Sequence, residues 1–154
     1  MPKLDLEAIP QTNRTGYPAP FNTAVAGHWY RRLGPASGLT HMGVSHVVLK
    51  PGAWSSHRHW HDSEDEFIVI LSGEAELVDD TGVQVMRAGD CASFPAGEAN
   101  GHHLRNMSDA DCVLIAVGAG DRDGGGGYSD IDMTFSGDDY FHKDGTPYAA
   151  DRIP

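Results

Sequence analysis

The sequence is poor in basic residues, in cysteine and in long apolar runs. Its 11 lysines and arginines are outnumbered by 22 acidic residues, which gives a formal net charge of −11. Nucleic acids and anionic membranes are normally bound by surfaces with an excess of Lys and Arg. The charge balance therefore predicts neither of them as a partner and favours small-molecule ligands.

Two cysteines, Cys91 and Cys112, are too few for a disulfide scaffold, and we expect both to be free thiols. No apolar run approaches the roughly 18 residues of a membrane helix. The first residues also lack the uninterrupted apolar segment of a signal peptide. Together these absences predict a soluble cytoplasmic protein.

The length of 154 residues and the 40% share of apolar residues fit one globular domain over residues 1–154. Prolines are frequent in residues 1–22, which predicts an extended arm that lies on the surface or on a partner subunit. Short apolar segments then recur about every ten residues between turn signals, and none has a helical period. The pattern predicts an all-β barrel or sandwich. The candidate strands are 42–49, 67–71, 73–78, 83–86, 91–94, 102–106 and 112–117, with weaker ones at 23–33 and 131–135.

Three further segments carry weaker signals. Residues 34–38 are typical of a turn, and His28 in the strand before them is expected to be structural or exposed. The glycine run at 121–127 lacks the ligand spacing of a calcium loop and the Lys-Ser/Thr of a phosphate loop, so it predicts a flexible loop. The aromatic residues of 140–148 predict a tail that packs back on the body.

The most informative stretch is His57 to Glu66, in which three histidines alternate with other residues and four acids follow. In a strand, side chains two residues apart lie on one face, about 6.6 Å apart along the chain. Either His57 and His59 or His59 and His61 can therefore bind one ion. Two nitrogen ligands and a carboxylate suit a divalent transition metal better than calcium or magnesium.

A second stretch contains Gly89, Pro95-Ala96-Gly97, His102 and Asn106. Together the two stretches resemble the paired motifs of the cupin superfamily. The family's first motif is His-x-His, three or four residues, Glu, six residues, Gly, and here it matches His59, His61, Glu66 and Gly73. The second is Gly, five residues, Pro-x-Gly, two residues, His, three residues, Asn, and it matches Gly89, Pro95, Gly97, His102 and Asn106.

The chain departs from this pattern twice. Six residues separate Gly52 from His59 where the family has five, which leaves open a register with His57, His59 and Glu64 as ligands. Four residues separate Gly97 from His102 where the family has two, which leaves His103 as a rival ligand. The six-residue step from Glu66 to Gly73 and the three-residue step from His102 to Asn106 favour His59, His61, Glu66 and His102.

The resemblance covers about residues 43–117. The chain is also similar, through Arg58–His61, Asp65–Phe67, Gly101–Leu104 and Asp144–Tyr148, to small single-domain bacterial cupins of the cupin 2 conserved-barrel type. This resemblance implies a double-stranded β-helix (jelly-roll) barrel over 43–117. The barrel is preceded by the arm at 1–22 and followed, over 118–154, by a loop, a last strand and a mostly irregular tail.

The resemblance further implies that His59, His61, Glu66 and His102 bind one divalent transition metal, which is Fe, Mn, Ni or Zn. Cupins also commonly form homodimers, and the arm suits an exchange between subunits. We expect an enzyme that acts on a small oxygen-rich compound, such as a sugar derivative, keto acid or diketone-like molecule, by isomerase, lyase or dioxygenase chemistry. The alternative is a non-catalytic, metal-dependent small-molecule binding protein.

Four more residues are candidates for roles around the metal. His57 and His103 are candidates for supporting the ligands or for shuttling a proton. Trp54 and Trp60 are candidates for contacting the substrate near the rim of the barrel.

Overall fold

The computed structural model describes residues 2–149 and is almost entirely antiparallel β-structure, as the sequence predicts. One turn of 3-10 helix, Leu6–Ala8, lies in the arm, and one short helix, α1, spans Leu33–Ser37. The strands are β1 His28–Arg32, β2 Met42–Leu49, β3 His59–His61, β4 Glu64–Ser72, β5 Glu74–Asp79, β6 Gly82–Arg87, β7 Cys91–Phe94, β8 His103–Arg105, β9 Cys112–Gly120, β10 Gly125–Tyr128, β11 Thr134–Ser136 and β12 Asp139–Phe141.

The strands form three antiparallel sheets. The largest has the order β1-β2-β9-β4-β7, the second β12-β11-β10-β3 and the third β6-β5-β8. Neighbours in the sheets are often distant in the chain, as in the pairing of β4 with β9. This arrangement fits the jelly-roll barrel that the motifs imply. The predicted domain of 1–154 includes Met1 and residues 150–154, which lie outside the described residues.

The core lies between the five-stranded and the three-stranded sheet. Alternate residues of β4, among them Ile68 and Ile70, face Leu104 of β8 and Met86 of β6. Each buried side chain of this size contributes roughly 1.5–3 kcal/mol relative to an exposed one. The same alternation sends Glu64 and Glu66 to the inner side of β4, so the strand that builds the core also carries acids into the barrel.

The outer face of the five-stranded sheet is also apolar. Phe67 and Leu71 of β4 remain 42% and 49% exposed, and the neighbouring strands add Val44, Val113 and Ile115. We call these five residues the outer apolar face. A sheet that faced only water would alternate apolar and polar residues instead.

Asn106, the last residue of the second motif, is fully buried and holds the turn between β8 and β9. Its Nδ2 donates to the carbonyl oxygens of Leu49 (2.9 Å) and Ala110 (2.8 Å). Its Oδ1 accepts from the backbone N–H (3.0 Å) and the hydroxyl (2.7 Å) of Ser108. Buried amides need such partners because an unsatisfied polar group costs about 1–3 kcal/mol. This part of the motif is therefore structural.

The first third of the chain differs in detail from the prediction. The weak strand at 23–33 is shortened to β1, and the expected turn at 34–38 contains α1, which ends at Gly38 in the left-handed conformation (φ 76°). The arm lies on its own barrel, where Thr12 pairs with Tyr30 at the edge of β1. Propensity alone does not predict a helix this short, because tertiary contacts stabilise it.

The C-terminal segment is more regular than predicted. The weak strand at 131–135 appears as β11, and β12 follows it. The aromatic tail packs back as expected, since Tyr140 stacks on Tyr17 with ring centroids 5.3 Å apart and Tyr148 packs edge-on against Phe21 at 6.1 Å. Both cysteines are free thiols, as predicted. No helix among residues 2–149 is long and apolar enough to span a membrane.

The prediction of a flexible loop over 121–127 is wrong for its second half, which forms β10 and pairs with β3. The reason is the close approach of neighbouring groups. A Cβ on Gly126 would overlap the Trp60 carbonyl oxygen and the Phe135 ring, and one on Gly127 would overlap the Trp60 indole. Glycine is therefore needed here for space, and the run permits a strand to lie against His59–His61.

We expect Gly126→Ala to destabilise the protein by about 1–3 kcal/mol, because the added methyl overpacks the contact between β10 and β3. Denaturant unfolding monitored by fluorescence measures the change. Gly43→Ala is the matched control, since a Cβ at that strand position meets its nearest neighbour, Arg122, at an ordinary 3.5 Å. Equal stability of the two variants would contradict the packing argument.

Candidate metal centre

The three residues of the first motif come from two strands that meet inside the barrel. In β3, His59 and His61 lie on one face because they are two residues apart. In β4, Glu66 lies on the inner side, beside them. Ligand atoms of these three residues all lie within 4.8 Å of one another.

His102 joins the group from the segment before β8. It forms an isolated bridge with His59, through backbone hydrogen bonds of 3.3 Å and 3.0 Å. Its ring stacks on Phe94 with centroids 3.5 Å apart and planes 3° from parallel. These contacts fix both the backbone and the ring of His102 at the site.

All three imidazoles turn Nε2 towards the Glu66 carboxylate. His61 Nε2 lies 2.5 Å and His59 Nε2 3.6 Å from Oε1, while His102 Nε2 lies 2.6 Å from Oε2. The four residues that the motif predicts are thus brought together. His102 approaches the carboxylate oxygen opposite the one that the other two histidines share.

Backbone carbonyl groups orient two of these rings. His59 Nδ1 donates to the carbonyl oxygen of His57 (2.9 Å), with the Ser56 hydroxyl 3.1 Å away. His102 Nδ1 lies 3.3 Å from the carbonyl oxygen of Asn100. A proton on Nδ1 leaves the Nε2 lone pair free, which is the arrangement found in histidines that bind metals.

The electrostatics of the site favour an ionised Glu66. Burial raises the pKa of its carboxyl group, but hydrogen bonds from His102, His59 and His61 outweigh burial and hold the pKa well below its usual range. For His61, burial alone would lower the pKa. The hydrogen bond to Glu66 and the charges of the nearby acids outweigh burial, so the pKa of His61 is raised. An anionic carboxylate and three nitrogen donors fit a divalent transition metal.

The group lies between two cavities. One, of about 300 Å³, extends into the barrel past His59 and His102 to the serines Ser45, Ser55 and Ser56. The other, of about 200 Å³, lies on the side of His61 and is bordered by Asp79 and Glu98. Small-molecule pockets usually begin at about 300 Å³, so the first cavity is the better fit for a small ligand.

His103 lies beside the first cavity, and Trp54 packs against His103. The His103 ring borders this cavity, and His103 Nδ1 donates to the Ser56 carbonyl oxygen (2.8 Å). Burial lowers the pKa of His103 and so favours the neutral ring. Trp54 packs edge-on against His103 with centroids 4.7 Å apart, and it does not border either of the two cavities within the described part of the chain.

The other two predicted candidates are placed differently. His57 Nε2 donates to the Phe21 carbonyl oxygen (2.8 Å), and its ring lies among Tyr17, Phe21 and Trp54. These contacts hold the arm against the barrel. Trp60 borders the smaller cavity rather than the larger one.

Two more residues border the cavities: His28, which was not predicted to face the site, and Glu64, which the sequence offered only in the alternative register of ligands. His28 of β1 borders the larger cavity, where burial lowers its pKa to about 4. Glu64 borders both cavities. Burial raises its pKa, His61 opposes the shift, and the neighbouring Glu66 carboxylate adds to it. The alternation of side chains along β4 places Glu64 on the same face as Glu66 and could have predicted its position at the cavity. The position of His28 could not be predicted in this way, because it follows from the long-range pairing of β1 with β2.

Tyr128 supports the site from behind. It is buried, it pairs with His59 across β10 and β3, and the two rings are 5.7 Å apart. Tyr17 of the arm packs on Tyr128, with centroids 5.9 Å apart. The arm, the glycine strand and β3 therefore form one packed unit around His59.

The geometry can be compared with known proteins. The family model of the cupin domain matches residues 45–118. A solved structure described as a sugar phosphate isomerase from a cupin superfamily, from Silicibacter pomeroyi, is 43% identical over 99% of this chain and 100% of that one, with a TM-score of 0.90. The comparison with curated proteins found no match.

More distant structures share the fold alone. One, described as a proposed sugar phosphate isomerase from Acidithiobacillus ferrooxidans, is 24% identical over 82% of this chain and 80% of that one, with a TM-score of 0.69. The polyketide cyclase RemF from Streptomyces resistomycificus is 18% identical over 77% and 79%, with a TM-score of 0.60. With the full-length match at 43% identity, these findings establish that the chain belongs to the cupin superfamily.

Proposed function

We propose that this protein is a metal-dependent isomerase that acts on a small hydroxy-carbonyl compound of the sugar type. The observation that carries the proposal is the convergence of three imidazole Nε2 atoms on the Glu66 carboxylate at the end of a cavity of about 300 Å³. A site of this kind places a cation next to a space that fits a small molecule.

His59, His61, Glu66 and His102 would hold the metal. A divalent ion bound there supplies Lewis-acid polarisation of a carbonyl oxygen. The ion's identity, Fe, Mn, Ni or Zn, stays a prediction. Three neutral imidazoles and one carboxylate leave such a centre with a net charge near +1.

The proton transfer that an isomerisation needs is assigned to His103. Its Nδ1–H is bound to the Ser56 carbonyl oxygen, so the ring presents Nε2 as an acceptor beside the cavity. His103 would take the proton from the hydroxyl-bearing carbon next to the carbonyl and return it to the former carbonyl carbon, while the hydroxyl proton passes to the former carbonyl oxygen. His57 is a weaker candidate because its ring holds the arm.

The similarity to the Silicibacter pomeroyi protein, described as a sugar phosphate isomerase, supports the isomerase class, since that protein is 43% identical over nearly the whole of both chains. Lyase and dioxygenase chemistry use the same ligands, and they are the competing outcomes of a reaction screen. Contact between Trp54 or Trp60 and the substrate stays a prediction, as does the cytoplasmic location.

Metal binding is tested by elemental analysis of protein purified without added metal. We expect about one transition-metal ion per chain in the unmodified protein and a loss of most of it in Glu66→Ala and His102→Ala, because each variant removes a ligand. Glu74→Ala, at a half-buried site on β5 where the side chain forms an ion pair with Arg87, is the control and is expected to keep the ion. Metal content that does not depend on Glu66 or His102 would refute the site.

Turnover is tested with the metal-loaded protein on aldoses, ketoses and keto acids, followed by NMR, with dioxygen uptake recorded in parallel. We expect isomerisation, and a fall in kcat of about 10²–10⁴-fold in His103→Gln with metal content unchanged, because general base catalysis contributes about that factor. His57→Gln is the comparison variant and retains activity. Ligand binding without any turnover would favour the non-catalytic binding protein.

We further propose a homodimer formed through the outer apolar face. A second copy of the chain fits there, because the face is charge-poor whereas the chain as a whole carries −11 and repels itself elsewhere. Interface centres are typically depleted of charged residues in this way. The arm lies on its own barrel, so the structure gives an exchange of arms no support.

Light scattering tests the dimer. We expect a mass of twice the chain mass of 16.6 kDa for the unmodified protein and one chain mass for Phe67→Glu. Val83→Glu is the control, because Val83 is equally apolar and 51% exposed but lies on the three-stranded sheet. A monomeric unmodified protein would contradict the proposal.

A further inference from the structure

The walls of the larger cavity carry hydrogen-bonding groups but little positive charge. Besides the metal-binding group, its polar side chains are His28, Ser45, Ser55, Ser56, Glu64 and His103. Within residues 2–149, no Lys or Arg borders either this cavity or the smaller one. Phosphate groups are normally bound by Arg, by Lys or by helix N-termini, so these walls are better suited to hydroxyl groups.

Glu64 adds a second carboxyl group next to Glu66. Alternation along β4 points both side chains into the barrel, where Glu64 borders the two cavities on either side of the metal-binding group. The neighbouring strand β9 carries Gly118, which pairs with Glu66, two residues along β4 from Glu64. A Cβ on Gly118 would overlap Glu64 Oε1, so the absence of a side chain there makes room for the carboxyl group inside the barrel.

The local charge follows from these two carboxylates. Glu64 places a second carboxyl group beside Glu66, and no Lys or Arg among the described residues borders the larger cavity to attract a phosphate dianion. At short range in a partly buried site, each unit charge matters far more than it does in water. Glu64 also offers acceptors for substrate hydroxyl groups.

One cation lies near the mouth of the larger cavity. Arg122 Nη1 is 3.5 Å from the position of a Cβ on Gly43, a residue of the cavity wall. Its Nη2 donates to the Thr40 carbonyl oxygen (3.3 Å), and the side chain is exposed. The phosphate group of a phosphorylated substrate would have to reach outward to this guanidinium. Arg122→Ala would then weaken binding of the phosphorylated substrate, so this variant is included in the test.

We propose that Glu64, in the space left by Gly118, makes this site selective for an uncharged hydroxy-carbonyl compound over its phosphate ester. The inference rests on the proposed function, because it concerns the substrate of the same site. The proposed substrate therefore differs from a sugar phosphate, the substrate type in the description of the similar Silicibacter pomeroyi protein.

The test measures dissociation constants of matched pairs on the metal-loaded, full-length protein by calorimetry. The probes are ribose and ribose 5-phosphate, fructose and fructose 6-phosphate, and glucose and glucose 6-phosphate. We expect at least one uncharged sugar to bind at least tenfold more tightly than its phosphate ester. In Glu64→Gln, we expect that ratio to fall at least threefold, with metal content unchanged because Glu64 is not a ligand.

Glu98→Gln is the matched control. It removes the same charge at an exposed position that borders only the smaller cavity, so an effect of total charge would appear in both variants and an effect of the larger cavity only in Glu64→Gln. Melting temperatures check that each variant is folded. A ratio that responds equally in both variants would overturn the assignment to Glu64.

Three other results would overturn the inference. The first is a phosphate ester that binds as tightly as its sugar, and the second is a phosphate ester whose binding is weakened by Arg122→Ala. The third is the absence of binding by every probe in protein that contains its metal. A protein without site-dependent metal fails at the earlier step, so elemental analysis of the same samples distinguishes failure of the proposed function from failure of the substrate class.

Discussion

The arrangement of the barrel interior depends on the burial of one carboxylate, Glu66, among three imidazoles. A buried charge is costly unless it is paired and hydrogen-bonded, and Glu66 meets this condition with His59, His61 and His102. Because these partners come from β3 and from the segment before β8, the carboxylate ties together strands of different sheets. Binding of a cation would replace these contacts with coordination by the same atoms.

Most of the candidate site could be predicted because it follows from the spacing of residues that are close together in the sequence. The step of two residues between His59 and His61 sets a common face in any extended strand, and the distance from them to Glu66 is one short turn. His102 was identified by its spacing to Asn106, and the structure gives that spacing a reason, since buried Asn106 fixes the turn that follows β8. Local spacing thus predicted which four side chains converge inside the barrel.

What could not be predicted depends on partners that are distant in the chain. The run Gly125–Gly127 has the composition of a flexible loop, and only its neighbours Trp60 and Phe135 explain why it is a strand. The cavity position of His28 follows from the pairing of β1 with β2 at the end of a five-stranded sheet. Hydrophobic periodicity and residue propensity predict neither the glycine strand nor the position of His28. Both features are determined by packing between segments far apart in sequence.

Glycine has a common function at two positions near the site. Gly126 lets β10 approach β3 behind His61, and Gly118 leaves space for Glu64 on the cavity side. In each case the missing side chain determines where another residue lies, so these glycines shape the site without contacting a ligand themselves. A cupin barrel that keeps these three histidines and Glu66 can still differ in the shape and charge of the adjoining cavity, because glycines such as Gly118 decide which neighbouring side chains enter it.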